Sequence, residues 1–586
     1  MEEQKFSLKN YFVPFTTTKA IHWIIVIGLL VFSNGLYNGF IQDDQLQIIN
    51  NPIIQSVFNL PYFFTGSTFY NGGEQNLAGV YYKPLQTTVF SVIYALFGPN
   101  AFVFHFLLIA LYITNACLLF LVLKKFLRPV TAFVLSLIFL VHPINSEIAF
   151  YISDMQEVLY FFFGILGLYI LQKYISEKAF FAASLCIFAS LLSKETGLLF
   201  LFISGVYMFL FKKKYIFHFC KYLIPLFIIY LYLRISSVGL FEQTLAFSPI
   251  QTLGLSERMI TMPAIFLFYI KTFFYPAALS ISWRFAYTQA TFANFYLPLF
   301  IDLLFILLLA GAGYMLIIWK SKKYQVYYSF FALCFLVGIL FHLQIIPLDT
   351  TVAERWFYFP AFGLLGTAGV LIDAFHINLK NIWAILVIFL VILLLSARTF
   401  VRSFDYRSDY TIASHDVKVN TYTYDLDNDL GVIYFNENKF QLAKQYVEKS
   451  ISIFPDVTNY NSLGGIDFRL GDYMDAKKAF INSLQFGNYY LSFYNLAQLT
   501  LVYGNPATNI AFLKQQVIPR YPQLGMLWAD LAIEEYEYGD KPDAKAEMQR
   551  AYELEQIPLT EYLYTTMMKG LPLHLTFKDG QMTAQE

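Results

Sequence analysis

The chain has 586 residues, of which 57% are hydrophobic and 14% charged, and its mean hydropathy is +0.52. That composition excludes a soluble domain with a large core and points to a polytopic membrane protein. Its 40 basic and 40 acidic side chains cancel, so nothing in the charge balance favours a nucleic-acid partner. Cys117, Cys186, Cys220 and Cys334 lie in or beside apolar runs without metal-ligand spacing and read as small buried hydrophobes.

Apolar runs long enough to span a bilayer fall near 20–38, 101–123, 129–147, 156–172, 179–194, 196–211, 216–235, 297–319, 325–346, 357–374 and 381–399, about 11 in all. The first lacks a small-residue cleavage site and reads as an anchoring helix. Lys and Arg cluster in alternate gaps: Lys5, Lys9 and Lys19; Lys124, Lys125 and Arg128; Lys173 and Lys178; Lys212 to Lys214; Lys320, Lys322 and Lys323. Those gaps are expected to be cytoplasmic, and the others to face outward. Residues 257–276 are apolar but interrupted by Arg258, Pro263 and Lys271, so they are expected to lie in the outer interface. A second interfacial helix is expected after Pro84. Composition changes near residue 403, beyond which no run is long enough to span a bilayer. The organisation read from the sequence is a membrane domain over 1–403, with a long first outer loop over 39–100, then a linker over 404–423, a soluble domain over 424–558, and a capping segment and tail over 559–586.

The outward gaps collect the unusual polar residues. The first loop opens with GFIQDDQLQIINNP, in which Asp43 and Asp44 stand where an apolar run ends, and later carries Tyr81-Tyr82-Lys83-Pro84. The next outward gap holds His142-Pro143-Ile144-Asn145-Ser146-Glu147 and then Asp154 and Glu157. Lys194-Glu195, Arg284 and Glu354-Arg355 follow in turn. Taken singly, each is explained by a helix cap, a solvated turn or an internal ion pair. Together they gather carboxylates and cations on one face. A carboxylate can deprotonate a hydroxyl nucleophile, cations can neutralise a phosphate leaving group, and apolar grooves can take a lipid tail. That is the equipment for glycosyl transfer from a lipid-phosphate sugar. Direct displacement at the anomeric carbon would invert its configuration.

Six segments, in order, resemble the transmembrane and tetratricopeptide-repeat-containing O-mannosyltransferases and their prokaryotic relatives, of the GT-C superfamily. They are DDQLQIINNP, YYKPLQTTVF, HPINSEIAFYISDMQEVLYFFFGILGLY, LLSKETGLLFLFISGVYMF, FFYPAALSISW and PLDTTVAERWFYFPAFG. Departures are Lys83 where the family has Arg, Asp154-Met155 in place of Gly-Arg, and Ser282-Trp283-Arg284. The resemblance implies an all-α fold, a GT-C-type helical membrane domain followed by a tetratricopeptide-repeat (TPR) solenoid. It also implies that one Asp of the pair is the catalytic base, with Asp43 favoured and Asp44 orienting it or binding the acceptor. Arg355, Lys194, His142 and Lys83 become the candidates for the donor phosphate, with Glu354, Glu195, Glu147, Glu157 and Arg284 as further residues of the outward cavity. The implied donor is a polyprenyl-phosphate hexose, mannose by resemblance, and the implied acceptor is a Ser or Thr hydroxyl of an exported protein. No cofactor or metal is required, although a phosphate-bridging divalent ion stays compatible with the motifs. The expected location is a bacterial plasma membrane, or the lumenal face of the endoplasmic reticulum in a eukaryote.

Residues 424–558 repeat with a period of roughly 33 to 35, as helical hairpins do. Leu430-Gly431, Tyr434 and Ala443 recur as Leu463-Gly464, Phe468 and Ala476, then degenerately from Asn495, and again as Leu531-Ala532, Tyr536 and Ala544. Such solenoids present a concave groove for extended peptide. Tyr424, Tyr460, Asn461, Tyr494 and Gln498 are its candidate lining, and with this topology the repeats lie on the side of the acidic pair. Two other readings stay open at this stage: transfer to a glycolipid or cell-wall glycan, and a non-enzymatic scaffold built on the repeats.

Overall fold

The computed structural model describes residues 15–69, 81–239, 248–578 and 581–584; the polar Gly- and Asn-containing stretch of the first loop lies outside them. Two compact units divide at Asn420/Thr421. Among the described residues both are helical, apart from a two-stranded antiparallel ribbon, β1 (Leu575–Lys578) and β2 (Gln581–Ala584), within the segment expected to be the tail.

The membrane unit is built from α1 (Thr17–Phe32), α2 (Pro84–Phe97), α3 (Ala101–Leu123), α4 (Pro129–Val141), α5 (Met155–Lys173), α6 (Glu177–Ser193), α7 (Leu198–Phe211), α8 (Ile216–Val238), α9 (Leu255–Phe274), α10 (Leu297–Trp319), α11 (Lys322–Leu340), α12 (Tyr358–Ala374), α13 (Ile382–Arg402) and α14 (Asp409–Val419). Among the described residues, eight helices are long and apolar enough to cross a membrane, or nine if α4 and the bent segment Pro143–Phe150 form one span. The sequence reading of about 11 is corrected at α6 and α7. α6 has 17 residues and α7 has 14, about 26 and 21 Å of helix, short of a full hydrocarbon core. The second correction is the linker. α14 occupies most of 404–423 and is held to the end of α13, where Arg402 donates to Asp416 at 2.7 and 3.1 Å.

α12 lies at the centre, with 83% of its apolar window buried, while α10 and α13 face outward with 11% and 6%. Glycine sets the closest approach. A Cβ at Gly363 of α12 would stand 2.3 Å from the Phe335 backbone nitrogen of α11, so only glycine lets these two helices pack at that distance. α9 carries the buried Arg258, whose guanidinium donates to the carbonyls of Leu253, Gln344 and Ile345.

The repeat unit stacks helix pairs: α15 (Tyr424–Asn436) with α16 (Phe440–Ile453), α17 (Val457–Leu470) with α18 (Tyr473–Phe486), α19 (Tyr490–Val502) with α20 (Pro506–Phe512), and α21 (Gly525–Tyr538) with α22 (Lys541–Leu554), followed by α23 (Pro558–Met568). The small residues at the repeat positions are there for contact. A Cβ at Gly431 would meet Val447 at 2.3 Å, and one at Gly464 would meet Phe480 at 2.5 Å. Of the expected groove residues, Tyr424 is buried against Phe454, and Gln498 is buried with its amide on both oxygens of Asp530. Both are packing residues rather than lining. Tyr460 stacks on Phe486 at 5.6 Å, Asn461 accepts from Asn495 at 3.0 Å, and Tyr494 is half-buried.

Candidate active site

The loop that leaves α1 is clamped before it reaches the acidic pair. Asn34 donates to Ser403 Oγ (2.7 Å), Asn38 to Ser403 O (3.3 Å) and Gly39 N to Arg407 O (3.2 Å). Gln42 then adopts φ 48°, a left-handed conformation that a non-glycine residue takes at a cost, and its N–H donates to Asp409 Oδ1 at 2.7 Å. That turn sends the two neighbouring carboxylates to different environments.

Asp44 is fully buried. Its Oδ2 accepts from Ile41 N (3.0 Å), and its Oδ1 accepts from Ser153 N (2.8 Å) and Ser153 Oγ (2.5 Å). It fastens the loop to itself and to the start of α5. Burial lifts its carboxyl to about 8, against the pull of these donors. Asp43 is exposed, and its carboxylate has no hydrogen-bond or ion-pair partner among the described residues; its backbone N–H donates to Tyr151 Oη at 3.0 Å. The charges of Lys83, Arg355, Asp349 and Asp154 act on it without bonding to it. Desolvation raises its carboxyl. Lys83 and then Arg355 pull it back, and the negative charges of Asp349 and Asp154 add to the rise.

The cations differ in how far they are already committed. Arg355 forms an ion pair with the buried Glu147 and lies 3.6 Å from Asp154 Oδ1. Lys194 pairs with the buried Glu157. Its sequence neighbour Glu195 pairs instead with Arg234 at 3.6 Å, a residue that the sequence reading did not single out. Lys83 is buried without an ion pair among the described residues, its Nζ standing 4.2 Å over the Tyr81 ring. Burial and the nearby Lys194 push its ammonium down to about 8, with Glu195, Asp349 and Asp43 opposing. Of the four cations proposed from sequence, Lys83 is therefore the one with unspent charge.

The remaining sequence candidates are engaged elsewhere. His142 stacks on Phe273 with centroids 4.6 Å apart; its Nε2 donates to Phe273 O at 2.8 Å, and its Nδ1 accepts from Ile144 N at 3.2 Å. Both ring nitrogens are used, so the structure removes His142 from the phosphate candidates. Glu354 is buried, does not pair with Arg355, and accepts from Ser280 N at 2.7 Å. It braces the neighbouring loop. Arg284 donates to Asp349 O at 3.0 Å and Ser282 Oγ at 3.2 Å. The sequence reading missed Asp349, whose Oδ2 accepts from Tyr81 Oη at 2.6 Å, and Ser153. Partners 109 and 268 residues apart leave no local signal.

Among the described residues, no group of three or more His, Cys, Asp or Glu is arranged to hold a metal ion. An open pocket of about 490 Å³ lies between Leu36–Asn38 and Phe97–Phe102, and none of the candidate residues lines it.

The chain is 24% identical over 444 residues to protein O-mannosyl-transferase F38B6.6 of Caenorhabditis elegans, covering 74% of this chain and 62% of that protein. It is related to the protein O-mannosyl-transferases. Against the human protein O-mannosyl-transferase TMTC3 it is 24% identical over 490 residues, 75% of this chain and 52% of the relative. Against human protein O-mannosyl-transferase TMTC1 it is 33% identical over 137 residues, 22% of this chain and 15% of the relative. The chain thus spans only part, about half to three fifths, of the length of F38B6.6 and TMTC3. No protein-family model matches it. A solved structure, the APC/C hetero-tetramer Cut9-Hcn1, aligns over 71% of this chain and 90% of its own at 12% identity, with a TM-score of 0.27 that carries no weight for the fold.

Proposed function

We propose that this chain is a membrane glycosyltransferase that moves a hexose, mannose by its relatives' names, from a polyprenyl phosphate to Ser or Thr hydroxyls of proteins. The observation that carries the proposal is the unpartnered carboxylate of Asp43, with the unpaired ammonium of Lys83 as the strongest attractive charge upon it. A base needs a free carboxylate, and a departing phosphate needs an uncommitted cation. Asp43 takes the proton from the acceptor hydroxyl as its oxygen bonds to the anomeric carbon. The bond from that carbon to the phosphate oxygen breaks, its electron pair leaves with the lipid phosphate, and the product has inverted configuration. Lys83 meets the charge released on the phosphate. Arg355 and Lys194, held by Glu147 and Glu157, supply a fixed positive background. Asp44 acts only through the loop it fastens.

The basic gaps between spans, read as cytoplasmic, support an extracytoplasmic position for this end of the bundle in this reading. The repeat unit suits recruitment of protein acceptors, since helical-repeat surfaces bind extended segments. The direct test uses the full chain in lipid nanodiscs with polyprenyl-phosphate mannose and Ser/Thr-containing peptides. The expected result is a peptide heavier by one hexose, linked with inversion. Hydrolysis of the donor with no peptide product would refute the protein acceptor, and no consumption of the donor would refute the reaction.

A further inference from the structure

We propose that Asp349, together with Tyr81, forms the subsite that binds ring hydroxyls of the donor hexose and so sets which sugar is transferred. The inference rests on the glycosyltransferase reading and adds a residue to it. Asp349 stands in a loop whose backbone is fixed from several directions. Gln344, at φ 61°, donates to Thr350 O (2.7 Å) and Thr351 O (2.9 Å) and accepts from Leu348 N (2.9 Å). Arg258 holds the Gln344 and Ile345 carbonyls, and Arg284 holds the carbonyl of Asp349 itself. Thr350 and Thr351 donate to Trp283 O and Phe285 O. A loop so over-determined presents its one outward carboxylate in a fixed direction.

That carboxylate is half-exposed. Its Oδ2 is taken by the Tyr81 hydroxyl, and its Oδ1 has no partner among the described residues. Tyr81 ties it to the phosphate cation, since the ring whose hydroxyl bonds Asp349 lies 4.2 Å under Lys83 Nζ, and its charge raises the carboxyl of Asp43 and supports the ammonium of Lys83. A hexose whose anomeric carbon lies between base and phosphate cation must place its ring within that same space. An ionised carboxylate only accepts, and each ring hydroxyl has one O–H to donate to it. Asp349 is poorly suited to be a second base. Arg355, Tyr81, Arg284 and Lys83 hold its carboxyl below the usual value, whereas that of Asp43 is raised.

The test is a coupling experiment with the full chain in nanodiscs, using polyprenyl-phosphate mannose and its monodeoxy analogues. Wild type is expected to use one of the deoxy donors about 100-fold less well in kcat/KM, and Asp349→Ala to lose that discrimination while handling the parent donor about 100-fold less well. Equal loss on every deoxy donor in both proteins would overturn the proposal. Asp349→Glu should restore part of the discrimination, which a purely structural role would not produce. Tyr81→Phe covers the case in which Asp349→Ala does not fold. It leaves the carboxylate and is expected to shift the deoxy-donor profile, and an unchanged profile would count against the subsite. Failure of wild type with every donor would instead overturn the underlying reaction.

Discussion

In the repeat unit, three deep carboxylates each reach a partner on another helix. Asp427 meets Lys449 at 2.7 Å, Asp467 meets Lys444 at 2.7 Å, and Asp530 receives the Gln498 amide at 2.7 Å on both oxygens. In the membrane unit, Glu147, Glu157 and Asp416 are likewise matched by Arg355, Lys194 and Arg402, but the Asp43 carboxylate and the Lys83 ammonium have no hydrogen-bond or ion-pair partner among the described residues. Desolvating a charge without a partner is expensive, so two opposite charges left apart while the neighbouring Arg355 and Lys194 are paired ask for a reason. The separation is what a reaction needs, because a salt bridge between them would spend both the base and the phosphate site.

The strongest way to break this contrast is Asp43→Asn. It removes the free base but no contact, so transfer should fall about 10³-fold while the thermal unfolding temperature in detergent stays at the wild-type value. An active Asp43→Asn protein would return that residue to the status of a boundary charge. Asp44→Ala should do the reverse. It deletes the acceptor for three buried donors, and the protein should lose about 2–3 kcal/mol of stability, with activity per folded molecule falling far less than in Asp43→Asn, as the loop that carries Asp43 loosens. Thermal unfolding and activity per folded molecule separate the two outcomes.

That opposition between adjacent residues marks the limit of what the sequence makes legible. Apolar run length located the spans, because length and composition are what the bilayer selects. A period of 33 to 35 residues located the repeats, because the small residues that let paired helices touch must recur with the hairpin. The division of labour within the acidic pair depends on the left-handed turn at Gln42 and on Ser153, 109 residues away from Asp44. His142 looked like a phosphate ligand because its residue type permits it, and only the Phe273 carbonyl 131 residues on shows its second nitrogen to be occupied. Asp349 sat inside a recognised segment, yet its significance depends on Tyr81, 268 residues away. Residue types and local periods are written along the chain; pairings that decide whether a charge is spent are not.

Lys83 offers a sharper and smaller test. Lys83→Ala should lower kcat/KM by about 10- to 100-fold, the value of one charge-assisted hydrogen bond to phosphate, with part of the loss in kcat because the charge it meets grows as the phosphate departs. Its pH dependence has a definite sign. The free ammonium is held down to about 8, so it is charged below that pH and able to bind phosphate. As pH rises through about 8 it loses its proton, and donor binding should weaken about tenfold per pH unit beyond. Asp43 acts on the acid side. Its carboxyl is raised, so kcat/KM should climb with pH through a value above the ordinary carboxylate range. The result is a bell-shaped profile, and Lys83→Arg, which stays protonated, should remove its alkaline limb alone.

The smallest effect should come from the repeat unit. Lys449→Ala removes the partner of a carboxylate that is itself fully buried, so a large penalty is tempting to expect. But the Lys449 side chain is 46% exposed, and water can enter where its ammonium stood, as it does around ordinary surface pairs. Stability should therefore drop by about 0.5–1 kcal/mol, with no change in donor consumption. A loss several times larger would mean that Asp427 is sealed from solvent as completely as Glu147, and that the repeat unit too holds a charge whose partner is essential.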